Sequence, residues 1–263
     1  MAYERRILAY VDIVGWSAAC CSADPSVPAQ VVSAMDNIHS VASQYSAEMK
    51  HRVAESPNAL VHPKYAEVQW GAFSDNFVVS MPESFGLRLL IPVAEICRRL
   101  LRVGFLTRGA ITVGDLYHVD TMVYGPALVQ AVELEKEAVY PRLVVSPEAS
   151  DLLDQIDTKE SQTLKEGFCR QPLVSDHLGR TIVNLFAFGA NIDRLNPARP
   201  IFDVADEIWG IRPAMAIIQT EIARLTEQRN EKHLEKWRYM RDVMWTIMVK
   251  PLMETGLSAE VVT

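Results

Sequence analysis

Two aspartates, Asp12 and Asp75, stand in short apolar runs, ILAYVDIVGW and VQWGAFSDNFVVSM, that read as buried strands. Carboxylates held near each other at strand ends stay ionised only when positive charge sits between them. The chemistry these residue types predict is therefore a divalent-cation site. Gly15, three residues past Asp12, lets the chain turn sharply beneath whatever binds there.

The elements that must position this pair follow from periodicity. The run from Ile7 to Val14 is apolar and β-branched enough for a central strand, and Pro25 to Met49 carries helical spacing through Val31, Met35, Ile38 and Val41. From His51 to Lys64 the composition turns polar with two prolines, which predicts an irregular excursion. A strand beginning near Ala66 then forms a hairpin with Asn76 to Met81, with Ser74, Asp75 and Asn76 in its turn. Gly86 to Arg102 is an amphipathic helix, LTRGAITVGDLYHV a strand, and Pro126 opens another helix. PRLVV and TIVNLFAF supply further strands, with a helix start at Ser146-Pro147-Glu148.

Asn191 to Pro200, rich in Asn and Pro, marks the boundary between a core at 1–190 and a helical extension at 191–263. Within that extension Ile218, Ile222, Leu225, Trp237, Met240, Met244, Ile247 and Met248 form an apolar stripe over Ala214 to Lys250. Such a stripe either covers the protein's own sheet or dimerises as a hairpin, and both readings stay open.

Composition narrows the function. With 49% apolar residues in 263, the chain can bury a full core. Its formal charge of -7 provides no broad cationic field for a nucleic acid or an anionic membrane. No stretch has a signal peptide's pattern or the roughly 18 apolar residues that span a bilayer, so the expectation is a cytoplasmic protein. Cys20, Cys21, Cys97 and Cys169 have no CxxC spacing, and His39, His51, His62, His118, His177 and His233 have no zinc spacing.

The order YVDIVGWS, FSDNFVVSM, TRGAITVGDLYH, VYGPALVQAVELE, from about Ile7 to Ser146, resembles the catalytic domain of class III nucleotidyl cyclases. The resemblance implies an α/β, ferredoxin-like class III nucleotidyl cyclase core with a helical C-terminal extension, acting on a nucleoside triphosphate. It assigns Asp12 and Asp75, with the carbonyl of Ile13, to two divalent ions, Mn²⁺ or Mg²⁺. One ion lowers the pKa of the ribose 3'-hydroxyl and the other neutralises the departing pyrophosphate. Backbone N–H groups of Val14, Gly15, Trp16 and Ser17 would hold phosphate oxygens without a lysine. Arg108, in the TRGAI strand, is the cation placed to grip phosphate or a base edge, against the plainer reading of a pair with a nearby glutamate.

The departures from the family pattern carry information too. Purine cyclases of this family place an Asn and an Arg on the helix after the glycine; here those positions hold Val129 and Glu133. The base-reading lysine and aspartate are replaced by Gly71 and Met122. A purine read through those side chains would leave its edges unpaired. With the helical extension, this pattern resembles the pyrimidine cyclases of the bacterial Pycsar antiphage system. That implies a homodimer that converts UTP to cUMP, which a separate effector protein reads. The alternatives are a cytidylate or purine cyclase, a catalytically silent nucleotide-binding domain, and a related phosphoryl-transfer domain; no GG[DE]EF-like segment supports a diguanylate cyclase.

Weaker candidates are Arg180 as a phosphate contact, and Tyr45, Lys50, His51 and Arg52 as a pocket wall in which an aromatic ring stacks on the base. Trp16 and Trp70 pack beside the site or in the core.

Overall fold

The computed structural model describes residues 2–55, 66–155, 172–187 and 210–250. Its centre is β1 (Glu4–Val14), whose two faces are both covered. Ile7, Ala9, Val11 and Ile13 enter the main core, whereas Leu8 packs on the opposite face with Val78, Ala110, Leu116, Ala127 and Ala131. Double coverage explains why the strand reads as a continuous apolar run rather than an alternation.

β1 pairs antiparallel with β3 (Asn76–Pro82) on one side and β4 (Leu106–Val119) on the other. β2 (Gln69–Phe73) forms the hairpin with β3. Beyond β4 lie β6 (Leu143–Val145), parallel to it, and then β8 (Thr181–Val183) and β7 (Leu173–Ser175). β5 (Met122–Tyr124) folds back onto β4. The antiparallel order β2-β3-β1-β4 is consistent with the ferredoxin-like core that the sequence resemblance implies. Gly109 permits the tight β1–β4 pairing, since a Cβ there would overlap the Tyr10 carbonyl.

The short helix α1 (Trp16–Cys20) leads into α2 (Val27–Glu55), which packs with α3 (Gly86–Arg102) against the main core. α3 has the bounds its amphipathic pattern predicts, with Leu89, Leu90, Val93, Ile96, Cys97 and Leu100 buried. α4 (Pro126–Glu137) lies on the other face against β4 and β1, and α5 (Pro147–Gln155) follows β6. Two expectations change. His51 to Glu55 continue α2 instead of opening the irregular excursion, because helical spacing there carries on through Val53, which packs on the core. Among the described residues of TIVNLFAF only Thr181–Val183 is strand; Asn184 leaves the ladder and accepts the Phe186 N–H through its side chain. The remainder of the excursion and the predicted boundary at Asn191 to Pro200 lie outside the described residues.

Among the described residues the extension forms two helices, α6 (Ile211–Glu227) and α7 (Glu231–Val243), the latter running into a π turn at Met244–Val249. Ile211, Ile218, Leu225, Leu234, Trp237, Met240, Met244 and Met248 join the main core, so much of the stripe covers the chain's own body. A polar latch reinforces this docking. Buried Asp176 pairs with buried Arg142 and accepts the Tyr239 hydroxyl at 2.8 Å. Tyr239 stacks on Tyr140 at 4.5 Å, and the Tyr140 hydroxyl donates to Glu235 at 2.5 Å. Among the described residues no helix is long and apolar enough to cross a membrane.

Removing Asp176 should leave the Arg142 charge buried without its partner. Asp176→Ala is expected to cost about 3 kcal/mol at neutral pH, read from urea unfolding. Burial opposes the Asp176 charge, but hydrogen bonds from the Arg180 N–H, Tyr239 and Arg142 outweigh it and hold the carboxyl below its ordinary value. The latch therefore stabilises above the unfolded carboxyl pKa and is lost as pH falls through the lower folded value. The gap between Asp176→Ala and the parent chain should close below about pH 4.

Candidate active site

The sheet register brings the two predicted aspartates to one rim. Asp12 stands opposite Asn76 on β3, and the Ile13 N–H donates to the Asp75 carbonyl at 2.8 Å, clamping the Ser74-Asp75 turn to the end of β1. Ser74 takes a left-handed φ of 58° there. Asn76 itself lies in β3, so the turn is one residue shorter than its polar composition predicts.

On the other side Asp12 stands opposite Arg108, whose Nε donates to Asp12 Oδ2 at 2.9 Å. The same nitrogen lies 2.5 Å from Oε1 of Glu135, a buried residue of the last turn of α4. An Arg Nε carries one proton. It is directed at Asp12, so Glu135 is held as an ion pair and its Oε1 has no hydrogen-bond partner. Neither terminal NH₂ group of Arg108 has a partner among the described residues, and the side chain keeps 31% of its surface exposed.

Tyr10, two residues before Asp12 on the same strand face, connects this group to Asp75. Its hydroxyl donates to Asn76 Oδ1 at 2.7 Å, and Asn76 Nδ2 donates to Asp75 Oδ1 at 2.9 Å. Burial, followed by the negative charges of Glu135, Asp12 and Asp75, pushes the Tyr10 phenol up to about 12. The Glu135 carboxyl is also raised, first by burial and then by Asp12, with Arg108 opposing. Lys236 of α7 joins the same field. Burial lowers its pKa, followed by the charges of Arg108 and Lys232, with Asp12 opposing.

The chain turns at Gly15, φ 84°, immediately past Val14. α1 has five residues, so the backbone of Val14 to Ser17 offers a turn of N–H groups rather than the dipole of a long helix. The Trp16 indole is buried against Phe105, ring centroids 5.7 Å apart, and Ser17 is exposed.

Among the described residues each carboxylate of the pair keeps one oxygen uncommitted: Oδ1 of Asp12 and Oδ2 of Asp75. That donor set fits a small hard cation, which takes one or two carboxylates and completes its shell with water and phosphate oxygens. Among the described residues no group of three or more His, Cys, Asp or Glu forms a larger cage.

Other candidates fall elsewhere. Arg180 is half exposed and pairs with Glu137 at 3.5 Å. Tyr45 packs edge-on against Trp70 and donates to the Arg88 carbonyl at 3.2 Å, so both aromatics follow the packing reading. Lys50 is exposed, His51 pairs with Glu55 at 3.0 Å, and Arg52 lies in α2. Val129, Glu133 and Met122 are exposed, and Gly71 is buried beside the Phe73 ring and His118. His118 bonds Ser80 through Nδ1, and burial, followed by the Arg6 charge, takes it down to about 4, so it is neutral at physiological pH. Tyr10, Asn76, Glu135 and Lys236 were not singled out by sequence. The two-residue step from Asp12 could have revealed Tyr10, whereas Glu135 and Lys236 depend on tertiary packing.

Arg108→Met should strand Glu135 beside Asp12 without its counter-charge. The expected loss is roughly 2 kcal/mol, less than for a fully buried pair because Arg108 is partly exposed. Adding Glu135→Leu should restore most of it. Urea unfolding of the two single variants and the double variant measures this coupling.

No protein-family model matches the chain, and no curated protein does. Several solved structures are similar at low identity. The adenylyl cyclase CyaB from P. aeruginosa is 10% identical with a TM-score of 0.44, covering 69% of this chain and 92% of that one. A bacterial light-regulated adenylyl cyclase is 14% identical with a TM-score of 0.44, covering 72% and 93% respectively. The guanylyl cyclase Cya2 is 12% identical with a TM-score of 0.40, covering 70% and 93%.

Proposed function

We propose that this chain is a divalent-metal-dependent nucleotidyl cyclase that converts UTP to 3',5'-cyclic UMP and pyrophosphate. The observation that carries the proposal is the junction of Asp12 and Asp75 at one strand rim, each with a free carboxylate oxygen, beside an arginine whose terminal fork is open. Bound Mg²⁺ or Mn²⁺, two ions per site, would acidify the ribose 3'-hydroxyl and neutralise charge on the leaving pyrophosphate.

The protein's own share is positioning. Asp12, Asp75 and the Ile13 carbonyl present oxygens at the rim, the backbone from Val14 to Ser17 faces phosphate oxygens, and the Arg108 fork takes a non-bridging phosphate oxygen. In the reaction the 3'-oxygen bonds to the α-phosphorus, the bond from that phosphorus to the bridging oxygen breaks, and the hydroxyl proton leaves to solvent. The uridine preference rests on the resemblance and on the missing purine-reading groups at Gly71 and Met122. The proposed setting is a cytoplasmic homodimer whose product activates a separate antiphage effector.

A second reading, a silent cyclase-like nucleotide-binding domain, is favoured by the exposed Val129 and Glu133 at the positions of the absent Asn and Arg. Product analysis by mass spectrometry after incubation with ATP, GTP, CTP or UTP, in Mn²⁺ and in Mg²⁺, decides between them. Selective cUMP is expected, lost in Asp12→Ala and Asp75→Ala with folding intact. Selective cCMP would change the base, and binding without turnover would favour the silent domain.

A further inference from the structure

The Glu135 carboxylate is buried in the last turn of α4, and its Oε1 lies 2.5 Å from Arg108 Nε without a hydrogen bond. The single Nε proton is directed at Asp12 Oδ2, 2.9 Å away. For stability alone this is poor chemistry. An arginine and a carboxylate that serve only each other favour two parallel bonds along one edge of the guanidinium, and a buried acceptor left without a donor is costly.

What the arrangement does secure is orientation. The guanidinium is a rigid plane. One acceptor on Nε leaves that plane free to rock about the N–H···O axis, whereas carboxylates from β1 and from α4 hold the same nitrogen from two elements. The two terminal NH₂ groups have no partner among the described residues, on a side chain that keeps 31% of its surface exposed. Lys236 of α7 brings a second cation into the same field.

We propose that Glu135 is a positioning residue: with Asp12 it fixes the Arg108 guanidinium so that the terminal fork stays free for a phosphate oxyanion, whether of a nucleotide or of inorganic pyrophosphate. The inference rests on the reading of Arg108 as a phosphate contact. Its sign is opposite to what charge alone predicts. A carboxylate beside an anion site repels the anion, so removing its charge should tighten binding, whereas removing a support of Arg108 should loosen it.

The test is binding of inorganic pyrophosphate to the full chain in Mg²⁺ by isothermal titration calorimetry, with urea unfolding measured on every variant. Glu135→Gln and Glu135→Leu lose the same charge and differ in the acceptor oxygen. The Gln variant should bind at least as tightly as the parent, and the Leu variant about tenfold more weakly. Glu135→Asp, which keeps the charge but draws the oxygen back by one methylene, should weaken binding as Leu does. Arg108→Met with Glu135→Leu should bind no better than Arg108→Met alone although its stability recovers, which separates a merely structural role from one exerted through the guanidinium.

Equal affinities in folded Gln and Leu variants overturn the inference, as does tighter binding in the Leu variant, recovered affinity in the double variant, or a parent chain that holds no pyrophosphate. If the Leu variant does not fold, the Asp variant decides, and binding as tight as the parent's overturns the inference. Its failure is distinct from failure of the cyclase reading. A chain whose Gln and Leu variants separate in this way, yet which forms no cyclic product from any triphosphate, loses only the catalytic assignment.

Discussion

The candidate site depends on a charge balance across the centre of the sheet. Asp12, Asp75 and Glu135 place three carboxylates within electrostatic reach of Tyr10, against the guanidinium of Arg108 and the Lys236 ammonium. Arg108 bridges β4 to both β1 and α4, so one side chain offsets carboxylates arriving from two elements. This requires a fixed register between β1 and β4, which is why the absence of a side chain at Gly109, beside the Tyr10 carbonyl, bears on the chemistry at Asp12.

That balance also distinguishes a poised site from a closed one. Fully satisfied polar groups would leave nothing for a ligand, yet here the commitments are partial. Arg108 spends Nε and keeps its fork, while Asp12 and Asp75 each spend one oxygen and keep one. The carboxylate of Asp176 is committed more fully. Asp176 accepts from Arg142, Tyr239 and the backbone of Leu178 and Arg180, and it serves as a structural latch. Open valences at a strand rim are what phosphate and cation chemistry would need.

Much of the fold could be read from local pattern, because its central elements have strong ones. The bounds of the helix Gly86–Arg102 follow from its apolar stripe, and the strand Leu106–Val119 from its β-branched run and glycines. Asp12 and Asp75 were legible because a carboxylate in an apolar strand is a conflict that requires a partner. Their immediate partners were less so. Asn76 looked like a turn residue, since Asn favours turns, but strand pairing with Asp12 drew it into β3. Glu135 reads as one more charge in VELEKE; only the fold of α4 over the sheet buries it beside Arg108 while Glu133 and Glu137 remain in water.

The helical extension illustrates the limit of pattern most clearly. Its apolar stripe was compatible with covering the core or meeting a second chain, because a hydrophobic face does not name what it meets. The polar groups resolve part of this. Glu235 and Tyr239 of α7 reach Tyr140 and Asp176, residues that flank the end of α4 and the outer strands, and these bonds have direction where apolar contacts have none. Between those two anchors, Lys236 is held in the field of Arg108 and Asp12. The segment that reads as an appendage in the sequence thus brings a charge into the field of Arg108 and Asp12 at the central strand.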